Sequence, residues 1–162
     1  MSCKSAMIPL DEIISISPEK TVGEALEVLL ENGIRAMPVV SKDGEYMGMF
    51  HFHYILKFLL PKPVRAEGGV DNLEFLTGTD DLVPERLMEL SDRGVVDLMD
   101  LDRPILYPNE VFWAAIHMAY KHDAPMAVLE SENSKKLVGI VTKQSMIQDM
   151  QRRLLERKAE VE

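Results

Sequence analysis

The chain has one cysteine in 162 residues. A single thiol closes no intramolecular disulfide, so no disulfide scaffold holds this fold. Aromatic residues make up only 6%. No apolar run reaches the length of about 18 residues that a membrane-spanning helix needs. The opening residues Met1-Ser2-Cys3-Lys4-Ser5 lack the apolar core of a secretory signal. Cys3 is expected near a mobile terminus, and a reducing, cytoplasmic setting is the expectation. Basic charge is scarce in one place. Residues 67–102 hold eleven acidic side chains against Arg86 and Arg93, while the rest of the chain balances at sixteen of each sign. Nucleic acid is excluded as an expected partner, because phosphate contacts need a basic surface. The chain also has no phosphate-cradling GxxxxGK loop and no HExxH zinc motif, and Cys3 has no organised histidine partner. Catalysis is not expected.

What is present is a repeat. Thr21 followed by Glu24 forms a capping box ahead of Val22, Ala25, Leu26 and Leu29 at helical spacing, and Asn32-Gly33 stops that helix. Met37-Pro38-Val39-Val40 reads as a buried strand, Lys42-Asp43-Gly44 as a hairpin turn, and Tyr46-Met47-Gly48-Met49-Phe50 as the returning strand. A helix from Phe52 to Leu60 ends at Pro61. About ninety residues on, the order recurs. Asn109 is the expected cap of a helix carrying Phe112, Ala115, Ile116 and Ala119. Met126-Ala127-Val128-Leu129 is a strand, Glu130 to Lys136 a polar turn, and Leu137 to Val141 the returning strand. Thr142 caps a final helix running toward Arg157, whose basic residues Arg152, Arg153, Arg157 and Lys158 alternate with acids as on a solvated face. Short strands precede each unit at Ile13–Ile16 and Pro104–Tyr107. The predicted class is α/β (α+β): two β-α-β-β-α units that share a core, since one alone is too small to bury itself. The boundaries are 7–60 for the first unit, 61–94 for an acidic linker with an extra helix over Pro84–Arg93, 95–150 for the second unit, and 151–162 for a helical extension.

This pattern resembles the cystathionine-beta-synthase (CBS) domain, present twice as the tandem called a Bateman module. The residues that carry it are Ser17-Pro18-Glu19-Lys20-Thr21-Val22-Gly23-Glu24-Ala25-Leu26, Gly33 to Val40 and Asp43 to Met49 in the first copy. In the second they are Val95 to Met99, Ala124 to Val128 and Val138-Gly139-Ile140-Val141-Thr142. The resemblance implies a sensor that binds AMP, ADP, ATP or S-adenosylmethionine as a regulatory ligand between the copies, needs no cofactor for catalysis, associates as a homodimer and controls another, unidentified protein. The family's nucleotide pattern has Ser or Thr and, three positions on, Asp. Here the first copy reads His51-Phe52-His53-Tyr54 and the second Thr142-Lys143-Gln144-Ser145. Both aspartates are missing, so the Thr142 junction is the better candidate.

A strand entering a helix start presents free amides and the positive end of a dipole. Thr142 adds a hydroxyl donor, Lys143 a charge and Ser145 a weaker contact. Ile34, Met37, Pro125 and Met126 are placed to sandwich a purine, and Tyr54 to stack on one. The apolar stretch 49–60, with Phe52, Ile55, Leu56 and Leu59, reads as a dimer surface. His51 and His53 are weak metal candidates. His117 and His122, five apart on a helix, do not share a face. Asp80-Asp81 and Gly68-Gly69 read as linker charge and linker turn. Of the eleven methionines, Met37, Met47, Met49, Met99 and Met126 fall in strands or at element edges and read as core filling. Two further readings compete: a dimerisation or docking module without a small ligand, and a divalent-metal sensor.

Overall fold

The computed structural model describes residues 2–65, 73–123 and 125–161. After a 3-10 turn at Cys3–Ser5 the chain forms strand β1 (Ile8–Pro9), helix α1 (Val22–Glu31), strands β2 (Ala36–Val40) and β3 (Tyr46–His51), and helix α2 (Phe52–Leu59). A single turn α3 (Lys62–Arg65) and helix α4 (Leu82–Ser91) follow. The second repeat is β4 (Ile105–Leu106), α5 (Phe112–Lys121), β5 (Met126–Ser131), β6 (Ser134–Val141) and α6 (Lys143–Val161). The mixed helix-and-strand repeat expected from the sequence is present twice.

Local chemistry sets most of these elements. Thr21 Oγ1 accepts the Glu24 N–H while Glu24 accepts the Thr21 N–H, the reciprocal box that starts α1. Gly33 takes φ +62° just past its end and Gly44 φ +81° in the β2–β3 hairpin, values that favour glycine. Three local expectations are corrected. Asn109 does not cap α5; Val111 occupies the N-cap without a side-chain bond, because a turn closed by Glu110 N–H to Tyr107 O moves the helix start onward. The polar turn at 130–136 tightens to Glu132-Asn133, since Ser131 pairs with Ser134. Of Ile13–Ile16 only Ile16 pairs, in parallel with Val39.

The sheets are assembled across the repeats. β2 and β3 form one antiparallel pair; β1, β6, β5 and β4 form the other sheet in that order. Thus β1, from the chain start, pairs with β6 of the second repeat, Ile8 opposite Ile140. Cys3 and Ala6 lie in the second core with Leu106, Phe112, Met126 and Val141. Cys3 is fully buried rather than at a mobile end, and its N–H donates to Glu110 O. The reciprocal exchange also occurs. Val95 and Leu98, grouped with the second repeat by sequence order, are buried in the first core with Leu29, Met37, Val39 and Phe50. Asp100 exchanges two backbone hydrogen bonds with Met49.

The glycines of the two returning strands make this exchange possible. A Cβ on Gly139 would stand 2.3 Å from Met7 Cγ and 2.6 Å from Ile8 O; one on Gly48 would stand 3.0 Å from Met99 Cγ and 3.1 Å from Asp100 O. Each glycine admits the strap that belongs, in sequence, to the other repeat. A third cluster joins the repeats, with Val40 and Tyr46 packed on Ala127, Leu129 and Leu137. α4 is bound to the first repeat as well. Arg86 donates to three carbonyls at the end of α2, those of Phe58, Leu59 and Leu60. Asp80 and Asp81 are exposed ahead of α4, and Gly68-Gly69 lies outside the described residues. Among the described residues no helix is long and apolar enough to cross a membrane.

Candidate functional site: the cleft between the repeats

Because each repeat completes the other, the ends of β3 and β6 and the starts of α2 and α6 open onto one cleft of about 820 Å³. That lies within the range of roughly 300–1,000 Å³ usual for ligand pockets. The first repeat contributes Ile34, Arg35, Ala36, His51, Phe52 and His53; the second contributes Pro125, Ile140, Thr142, Lys143, Ser145 and Gln148. Ile8, Ile13 and Ile14 close one wall and Arg103 stands on the segment joining the repeats.

At the second junction Thr142 Oγ1 accepts the Ser145 N–H at 2.9 Å. Ser145 Oγ accepts the Thr142 N–H at 2.9 Å and donates to Thr142 O at 3.0 Å. The Ser145 hydroxyl, expected to contact a ligand, is therefore spent inside its own turn. Thr142 uses its oxygen as acceptor, which leaves the hydroxyl hydrogen for a ligand in the cleft. Lys143 Nζ sits 2.7 Å from Asp123, both groups well exposed, so its charge is shared.

The first junction is built differently. His51 is the N-cap of α2; its Nδ1 accepts the Tyr54 N–H at 3.2 Å. That bond places the ring proton on Nε2, which donates to Asp100 Oδ2 at 2.8 Å. Asp100 Oδ1 accepts the Asp102 N–H, and Arg103 Nε lies 3.6 Å from Asp100 Oδ2. Arg103 also donates to Pro125 O across the cleft at 3.4 Å. The ring is only 4% exposed. Burial, the largest influence, holds the His51 pKa below its ordinary value, although the hydrogen bond with Asp100 pulls the other way. Burial raises the Asp100 pKa, but the hydrogen bonds from His51 and the Asp102 amide, with the Arg103 charge, lower it overall. Burial beside Asp100 also raises the Tyr46 phenol.

The structure divides the residues expected from sequence. Ile34, Pro125, Thr142, Lys143 and Ser145 line the cleft. Met37 and Met126 do not; both are fully buried in their own cores. Tyr54 packs edge-on against Phe58 instead of lining the cleft, with Lys57 over its ring. Of the expected dimer surface, Ile55 is buried in the first core, Phe52 and Leu59 are partly buried against it, and Leu56 is exposed at 60%. His51 has no nitrogen lone pair left for a metal, while His53, exposed, stacks on it at 6.3 Å. Among the described residues no cluster of three potential metal ligands forms. Asp100, Arg103, Arg35 and the isoleucines of the first wall were missed. Asp100 stood inside an acidic run and carried no spacing signal that set it apart from solvated charge.

Residues 4–61 match the CBS domain family. CBSX2 of Arabidopsis thaliana shares the fold at TM-score 0.71 and 19% identity, covering 98% of this chain and 96% of that one. A structure of CBSX2 in complex with AMP superposes at TM-score 0.67 with 18% identity, over 97% and 98%. CbpB of Listeria monocytogenes in complex with c-di-AMP gives 0.65 at 20% identity, over 91% and 93%. A methylated protein of Methanocaldococcus jannaschii is 31% identical over 90 residues, 53% of this chain and 51% of that protein. The match thus spans about half the length of that curated relative. The first repeat thus matches the CBS domain, and the chain as a whole shares the fold of the CBS-pair protein CBSX2.

Proposed function

We propose that this chain is a non-enzymatic regulatory module that captures an adenosine-type nucleotide in the cleft between its repeats. One observation carries the reading: apolar residues leading into the strands of both repeats, Ile34 and Pro125, line a shared cleft with Thr142. Apolar walls suit a purine, and a helix start with a hydroxyl suits a phosphate. The AMP and c-di-AMP complexes of proteins with this fold support the same class. A ligand touching both repeats favours one angle between them, and that angle is what a regulated protein would read. The cytoplasm is the setting we assign, consistent with a single unpaired, buried cysteine.

Thermal unfolding in AMP, ADP, ATP, c-di-AMP and S-adenosylmethionine tests the reading. A ligand at about 100 times its Kd stabilises by roughly 2.7 kcal/mol, which for this size moves Tm by about 5–10 °C. A flat response to every nucleotide at millimolar concentration overturns it.

A second reading, association of two copies, is favoured by Trp113 and Tyr120 on α5, which are 79% and 91% exposed. Seven positions apart, the two stand on one face of α5, and an exposed apolar patch marks an interaction surface. Light scattering behind size-exclusion chromatography should give twice the chain mass; a monomer mass removes this reading.

A further inference from the structure

The first helices of the two repeats share one burial register. Val22, Ala25 and Leu29 are buried in α1, and Phe112, Ala115 and Ala119 in α5. Gly23, Glu27 and Leu30 therefore correspond to Trp113, His117 and Tyr120. The first repeat covers the start of its own row: α4 packs on α1, and a Cβ on Gly23 would stand 3.2 Å from Ser91 Cβ. The same face of α5 is open, with His117 exposed between the exposed rings of Trp113 and Tyr120.

Three features of this row fit a second copy of the chain. At i, i+4 and i+7 the three side chains fall on one stripe. From Val111 to Tyr120 there is no Asp, Glu, Lys or Arg, in a chain that is 28% charged, and charge is what the centre of an interface excludes. The row is also its own complement. Laid antiparallel on a second copy about a two-fold axis, Trp113 meets the Tyr120 of that copy at each end, and the two His117 side chains stand beside each other next to the axis. Four such aromatic side chains bury roughly 600–1,000 Å², the area of a weak, reversible association.

We propose that two copies associate through this row and that His117 makes the contact pH-dependent. The inference rests on the association reading and adds its geometry and its control. Neutral imidazoles pack between the rings at the axis. Protonated ones put two like charges side by side where water is excluded, so protonation and association oppose each other. No neighbouring group offsets that charge. Among the described residues no carboxylate pairs with His117, and Lys121, one turn on, is a cation throughout the range. The strap 2–9, the strands and α6 pack on the other face of α5, that of Phe112, Ala115 and Ala119. Acidification would otherwise strengthen association, because it neutralises a net charge of −9, so weakening is the signature of His117.

Sedimentation equilibrium of the full chain at pH 7.5 and 5.5 tests this. A histidine titrates near pH 6.5, so the dissociation constant should rise about 10-fold if the dimer excludes one His117 proton and about 100-fold if it excludes both. His117→Gln should keep one dissociation constant at both pH values. Oxidised by diamide, His117→Cys should form a disulfide between copies, whereas Tyr120→Cys, roughly 10 Å along the helix from its counterpart, should not. A dimer equally tight at both pH values, or one that His117→Gln leaves just as pH-sensitive, overturns the inference while the association reading stands. A dimer indifferent to Trp113→Ala uses another surface and overturns it too. A monomer at pH 7.5 defeats the association reading and the inference with it.

Discussion

At the residue scale, His51 makes the stability of this protein depend on pH. Its Nδ1 must stay unprotonated to cap α2, and burial keeps its folded pKa below that of an unfolded histidine, near 6.5. The unfolded chain therefore binds the proton first as pH falls. The contribution of His51 is fully present above about pH 6.5 and is lost as pH drops from there toward the folded pKa, at up to about 1.4 kcal/mol per pH unit. His51→Asn retains a capping acceptor and removes the titration. Denaturant unfolding at pH 7.5, 6.5, 6.0 and 5.5 should show a steeper loss in the parent than in His51→Asn; parallel lines would refute the assignment. Asp100 adds a separate, lower window, since its depressed pKa gives stability that disappears only as pH falls through its folded value. None of this was legible from spacing. Histidines two apart suggested a metal pair, but the strand ends at His51 and the helix begins at Phe52, so the two rings stack in succession instead of converging on an ion.

At the scale of elements, the sequence was most informative where a local rule acts alone. The capping box at Thr21, the Asn32-Gly33 stop and the Thr142 cap are satisfied within a few residues, so the pattern and the structure agree. It was less informative where distant chain decides. Ile13–Ile16 has the composition of a strand, yet only Ile16 finds a partner, and Ile13 and Ile14 become the wall of the cleft. The stretch after β3 looked apolar on several sides and suggested a subunit surface. Much of that apolar surface is covered from within: Ile55 enters the first core, and α4 reaches α2 through Arg86. The three carbonyls that Arg86 binds are ones a helix end leaves without intrahelical partners. Arg86 thus fixes α4 to the first repeat. One of two arginines among eleven acids reads as incidental in sequence, and its role follows only from where α4 lands.

At the scale of the whole molecule, the two repeats are not beads in a row. The strap 2–9 completes the second core and the strap 95–100 completes the first, so each domain holds a piece whose chain neighbours belong to the other. This exchange explains why the boundaries drawn along the sequence miss the cores, and why Val-Gly-Ile and Met-Gly-Met recur where the straps cross. It also predicts an unequal response to the same small substitution. Gly139→Ala drives a methyl to 2.3 Å from Met7 and to 2.6 Å from the backbone of Ile8, which cannot yield without lifting β1 from β6. Gly48→Ala meets the flexible Met99 side chain and Asp100 O at 3.0 and 3.1 Å, where a shift of a few tenths of an ångström suffices. The first should cost about 2–4 kcal/mol and the second about 1 kcal/mol, in line with overpacked cores. The readout is built into the chain. Cys3, the single cysteine, is fully buried only while the first strap is seated. Its reaction with a thiol reagent under native conditions should accelerate strongly in Gly139→Ala and stay near the parent rate in Gly48→Ala. Equal rates in both would show that the straps are not held separately, and that the repeats open as one unit instead.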